Sequence, residues 1–122
     1  MADDIQQTIR TRELRLVDAA GNDRAILTTS DDGNVAVRLL NGSSKPAVSI
    51  SVEKDGRLLL EATDSNGIQR LKLDMKGNGS HTELAFSERD RKPRMVLMAE
   101  DKGPAGLFIL DQYGKALFST TP

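Results

Sequence analysis

Leu58-Leu-Leu-Glu-Ala-Thr-Asp64-Ser-Asn-Gly67-Ile-Gln-Arg70-Leu-Lys-Leu73 contains the elements of one hairpin. Leu60 and Ala62 alternate with other residues before the central cluster, and Leu71 and Leu73 do so after it. That period of two marks strands with one buried face. Asp64 at the first turn position can accept a hydrogen bond from the backbone two residues on. Gly67 at the fourth tolerates positive φ without a Cβ clash. Together they describe a type I turn followed by a bulge, which is a way to join antiparallel strands.

Outward from this stretch the same unit recurs. Asp18, Asn41, Asp64, Ser87 and Asp111 open equivalent turns at gaps of 23, 23, 23 and 24 residues, and Gly33, Gly56, Gly79 and Gly103 interleave at 23, 23 and 24. A fixed period of this size means a repeat architecture in which each unit needs its neighbours to bury its apolar side. The reading is an all-β domain over residues 11–122, with about ten short antiparallel strands in five hairpin repeats of about 23 residues. Residues 1–10 form an N-terminal arm, disordered or a short helix, with Ile5 and Ile9 behind Asp3 and Asp4. Tight turns at both ends of every strand favour a meander, barrel-like if it curls, because a four-residue turn spans one ladder spacing of about 4.8 Å. A flattened β-solenoid is the alternative.

The inward positions repeat as well. Two and four residues before the first turn stand Leu16 and Leu14, Leu39 and Val37, Ala62 and Leu60, and Ile109 and Leu107. Seven and nine residues after its opener stand Ala25 and Leu27, Val48 and Ile50, and Leu71 and Leu73. Unit four breaks the pattern, with Glu83 falling inside and Leu84 and Phe86 outside. Either a bulge near Gly77-Asn-Gly79 or a reversed face accounts for it; the extra residue of the period is read between Ser87 and Gly103. A flat ten-strand sheet is about 48 Å wide and its apolar face needs a cover. Closing into a barrel, folding into a sandwich and packing on another copy are the three solutions.

Leu16-Val-Asp18-Ala-Ala-Gly21-Asn-Asp-Arg24-Ala-Ile-Leu27 and Asp64-Ser-Asn-Gly67-Ile-Gln-Arg70-Leu-Lys-Leu73 carry a pattern of apolar strand, Asp-x-x-Gly, Arg and apolar strand. This resembles a group of bacterial proteins of unknown function built from degenerate Asp-x-x-Gly β-hairpin repeats. The resemblance spans about nine-tenths of the chain and carries no catalytic residue over. Unit two departs from it at Ser44 and Pro46, and unit four at Asp90.

Composition removes whole classes of activity. With 17 basic and 18 acidic residues the net charge is −1, which gives no footprint for nucleic acid or an anionic membrane. There is no cysteine, so thiol chemistry and thiolate metal sites are absent. Aromatic residues are 3% of the chain, without tryptophan, which disfavours stacking platforms for sugars or single strands. The N-terminus lacks the basic start and apolar stretch of a secretory signal, and the expected location is the cytoplasm.

No residue set makes a catalytic, cofactor or metal site. His81 is the one histidine and reads as a strand-edge residue. Asp64-Ser-Asn66-Gly67 starts like a calcium loop but lacks the bidentate glutamate that such a loop needs. Asp31-Asp32 and Glu100-Asp101 are adjacent carboxylates on turn tips, without a desolvated cleft. Ser87-Glu-Arg-Asp-Arg-Lys-Pro-Arg94 holds four basic residues diluted by two acids and reads as a solvated connection with Pro93 stiffening its exit.

The expectation is therefore a non-enzymatic β-repeat module for structure or protein interaction, a self-assembling homo-oligomer or a scaffold for another protein. A closed barrel holding a small apolar ligand is the competing class. If Leu107 and Ile109 point inward, Phe108 and Leu110 point outward, joined by Val96 and Met98 of the next strand. Val17 and Leu40 occupy the same outer row as Leu110. These six residues are the expected oligomer interface, with cyclic symmetry.

Overall fold

The computed structural model describes Ile5 and residues 7–120. They form ten strands: β1 (Glu13–Val17), β2 (Asp23–Thr29), β3 (Val35–Leu40), β4 (Pro46–Val52), β5 (Leu58–Thr63), β6 (Gln69–Met75), β7 (His81–Ser87), β8 (Pro93–Glu100), β9 (Ala105–Leu110) and β10 (Ala116–Ser119). Each pairs antiparallel with the next, in the order β1 to β10 of one sheet. The all-β meander of hairpin repeats is the fold of the molecule. There is no helix among the described residues, and Ile5 and residues 7–10 are neither helix nor strand. The rest of the expected N-terminal arm lies outside the described residues.

Turn chemistry explains why the chain reverses where it does. Asp18, Asn41, Asp64 and Asp111 each place Oδ1 where the N–H groups two and four residues on donate to it, at 2.8–3.2 Å. Gly21, Gly67 and Gly114 take the expected left-handed conformation, with φ of 85°, 80° and 86°. Ser44, Arg91 and Lys102 adopt it without being glycine, at 60°, 70° and 59°, a conformation that costs a side-chain-bearing residue about 1 kcal/mol.

The fourth unit requires a correction. Its upper turn is opened by Glu88, since Arg91 N–H donates to Glu88 O and Glu88 N–H donates to Lys92 O; Ser87 still belongs to β7. The extra residue of the period is therefore absorbed earlier, in the turn from Lys76 to His81. Lys76 N–H there bonds His81 O, five residues on, whereas Ser30 and Glu53 bond carbonyls four residues on. With that shift Leu84 and Phe86 rejoin the apolar face and Glu83 leaves it. Of the two explanations raised by the sequence, the irregularity beside Gly77-Asn-Gly79 is the one found.

The lower turns are tied to one another. Lys54 N–H donates to Asn34 Oδ1 at 2.9 Å, and Asp101 N–H donates to Ser80 O at 2.8 Å. A Cβ on Gly77 would stand 2.2 Å from Asp55 O, so this position needs glycine for close backbone approach. The upper ends are held by arginines at the bulges. Arg24, Arg70 and Arg94 donate Nε to the carbonyls of Leu40, Ser87 and Leu110 at 3.2, 2.7 and 2.6 Å. Each also points a second nitrogen at the acid opening its own turn: Asp18, Asp64 and Glu88.

The molecule has one layer. Among the described residues only Ala36 and Leu40 are buried hydrophobics, whereas a domain ordinarily buries its core between two layers. β1 and β10 each have one partner, β2 and β9, so the sheet is open. The barrel that would enclose a small apolar ligand is not closed.

Candidate interaction surface

Cross-strand partners share a face, and successive residues alternate between faces. Following the ladder from Leu14 therefore sorts the side chains. The middle row of one face runs Leu14, Leu27, Val37 and Ile50 on β1–β4 and then leucine on every strand from β5 to β9: Leu60, Leu73, Leu84, Leu97 and Leu107. The row above it starts at Leu16 and ends in Phe86, Met95 and Ile109, all apolar. The row below, beginning with Thr29 and Val35, is apolar apart from Thr29 and Thr82. No ionisable side chain occurs in the three rows.

The opposite face has another composition. Its central row reads Arg15, Ile26, Arg38, Ser49, Glu61 and Lys72 over the first six strands and Ala85, Val96 and Phe108 over the next three. Ion pairs lie on it: Arg15 joins Glu13 and Asp23 at 3.1 and 2.6 Å, and Arg57 holds Asp74 with two nitrogens at 3.0 and 2.8 Å. The hydrogen bonds from Arg57 keep the Asp74 carboxyl below its ordinary pKa.

On β3 and β8 exposure separates the faces against expectation. On β3, Leu39 of the leucine face is 48% exposed while Leu40 of the polar face is 8% exposed. On β8, Met95 and Leu97 are exposed and Val96 and Met98 are half-buried. Long polar side chains lie over their own sheet on one side, and no element among the described residues covers the leucines on the other.

The six residues expected at an interface divide accordingly. Val96, Met98, Phe108 and Leu110 do form one patch, with Val96 opposite Phe108 and Met98 opposite Gly106. Val17 is exposed on β1, and Leu40 is buried on β3, where Arg24 crosses to its carbonyl. Both are separated from the patch by strands β4–β7, whose central row on this face begins Ser49, Glu61, Lys72. Leu40 is thus withdrawn from the interface, and the six do not make one surface. The larger surface is legible as an alternating pattern that reads as the inward face, with packing on another copy as one of its three possible covers.

The remaining candidates have structural explanations. The Asp64 carboxylate accepts N–H groups of Ile68 and Asn66, which lower its pKa with help from Arg70. The His81 ring lies 3.6 Å from Glu100 on the neighbouring strand and 3.8 Å from Glu83, two residues along its own strand. In the 87–94 connection, Arg94 is engaged with Glu88 and Lys92 with Asp90. A hollow of about 510 Å³ opens at the upper end of the leucine face, with Phe86, Met95 and Ile109 on its floor and Arg70, Glu88 and Arg94 at its rim. Its arginines already serve the clamps described above.

Among the described residues no group of three or more His, Cys, Asp or Glu side chains is placed to hold a metal ion. No helix among them is long and apolar enough to cross a membrane. Compared with protein-family models and with curated proteins, the chain matches none.

Proposed function

We propose that the protein is a non-enzymatic β-repeat interaction module that works by self-assembly, its leucine face forming one half of a protein–protein interface. The observation that carries this reading is the uncovered apolar face. Eight strand spacings and three rows amount to an apolar area on the order of 700–800 Å², and soluble monomers rarely expose continuous apolar patches beyond about 600 Å². The chain exposes 8964 Å² in all, whereas a compact folded protein of 13.3 kDa exposes about 6,500 Å². An excess of that sign is expected of a single-layer sheet, which has no second layer packed on it.

The sheet edges support assembly through the face rather than lateral growth. β1 is five residues long and carries the ion-paired Glu13 and Arg15; β10 is four residues long with its register broken between Ala116 and Phe118. Short, charged or irregular edges resist strand addition. Light scattering of the purified chain at micromolar concentration tests the reading. A mass above the 13.3 kDa of one chain is expected, and Leu60→Lys should return it to one chain. A wild-type monomer would overturn the proposal.

A further inference from the structure

We infer that the layer covering the leucine face is a second copy of this chain, laid on with its strands reversed so that each strand faces its own counterpart. The inference rests on the self-assembly reading above and adds the number of copies and their orientation. Two-fold symmetry permits two simple ways to stack such sheets face to face. With the axis along the strands, the two copies keep the same end up, and β7–β9 of one lie over β1–β3 of the other. With the axis across the strands, every strand lies over itself, and the upper row of one copy meets the lower row of the other.

Side-chain volume selects the second arrangement. Over β7–β9 the upper row is bulky and the lower row small: Phe86 stands on the strand with Thr82, Met95 with Ala99, and Ile109 with Ala105. This part of the face is a wedge. Reversing the second copy sets thick against thin on all three strands, which is how facing layers reach interior packing density. Keeping the same end up would put Ala99 over Thr29 and carry Ala105 past the end of β1, which begins at Glu13, to the level of Arg12. The voids would then remain under the lower edge, and the residues around them would lose contacts.

Charge agrees at two places along the rims. Reversal brings each upper turn beside the lower turns of the partner. Lys45, at the turn between β3 and β4, comes next to the partner copy's counterpart of the Asp31-Asp32 turn between β2 and β3. The exposed Arg89 and Arg91, between β7 and β8, come next to that of the Glu100-Asp101 turn between β8 and β9. Rim charges of opposite sign favour one register over its alternatives more than they add affinity. The covered area, on the order of 700–800 Å² on each copy, is close to the roughly 800 Å² per partner of a standard specific interface.

The absence of cysteine makes the test direct. Leu84→Cys, Leu27→Cys and Leu97→Cys are made singly and treated with a short bis-maleimide, with Leu60→Cys as a marker that faces its own counterpart in either arrangement. The expected results are a mass of two chains for wild type, cross-linked dimers for the Leu84 and Leu60 variants, and little adduct specific to a mixture of the Leu27 and Leu97 variants. Met95→Cys mixed with Ala99→Cys should cross-link between copies. Cross-linking confined to Leu60 and to the Leu27 with Leu97 mixture overturns the orientation while leaving the interaction reading in place, as does a mass above two chains. A mass of one chain overturns both.

Discussion

Lys72 and Leu73 are neighbours on β6, yet they belong to surfaces built on different principles. Lys72 lies on a face where arginine, glutamate and lysine stems lie over the sheet, and that face contains Ala36 and Leu40, the buried hydrophobics among the described residues. Leu73 lies on a face whose side chains are individually unremarkable but jointly uncovered. Apolar content alone does not place a residue inside; what decides is whether the fold supplies a second layer. Here the leucines are arranged as one side of a core, and no second layer lies on them among the described residues.

Substitution at this adjacent pair gives the largest expected contrast. Leu73→Lys places a charge in the proposed interface, where an unpaired charge costs on the order of 3–5 kcal/mol, and should dissociate the assembly in sedimentation equilibrium. Lys72→Ala should leave mass unchanged and stability within about 0.5 kcal/mol. Equal effects from the two would erase the distinction between the faces.

The next contrast compares the two ends of the sheet. Gly77→Ala forces a Cβ against the Asp55 carbonyl and should lower stability by about 2–3 kcal/mol in urea unfolding, the scale of overpacking. Gly67→Ala meets nothing within 4 Å but keeps a φ of 80°, costing about 1 kcal/mol. If Gly67→Ala proved the more damaging, close packing between the lower turns would not be what holds that edge.

Deleting Ser80 sharpens the account of register. A strand shifted by one residue turns its leucines to the other face, so the turn from Lys76 to His81 must absorb the extra residue. Removing it should restore the regular turn, keep Leu84 on its face and cost about 1 kcal/mol for the lost Ser80 O to Asp101 N–H bond. A loss of assembly in this variant would show that β7 depends on the irregular turn for its phase.

The smallest effect is on acid stability. Backbone N–H groups, led by those of Asn22 and Ile68, hold the Asp18 and Asp64 carboxyls below their ordinary values. The folded chain therefore binds these protons more weakly than the unfolded chain. Their contribution is present above the ordinary carboxylate range and is lost as pH falls through the lowered values. The melting temperature should hold between about pH 8 and 5 and decline below about pH 4. Asp18→Asn with Asp64→Asn keeps the accepting oxygen, as Asn41 does in the same position, and should flatten part of that decline; an unchanged acid profile would count against this origin.

Most of the hairpin framework was legible because its causes are local. An Asp or Asn with the right acceptor, a glycine tolerant of positive φ and an alternation of period two all act within about ten residues, and Asp64 to Leu73 displays them together. The phase of unit four was not legible: Ser87 and Glu88 are both plausible openers, and neither Asp90 nor Arg91 is a glycine that would decide between them. Only the ladder, with Lys76 bonded to His81 and Phe86 opposite Met95, places the extra residue. The candidate site was legible as a row of leucines on the inward face, but its cover was not, because whether a meander closes depends on whether its first and last strands meet. Composition and spacing thus determined by themselves the hairpins, their period and the apolar row. Tertiary structure alone decided that β1 and β10 stay apart and that the leucine face is left open, because closure depends on twist accumulated over ten strands, which no local signal records.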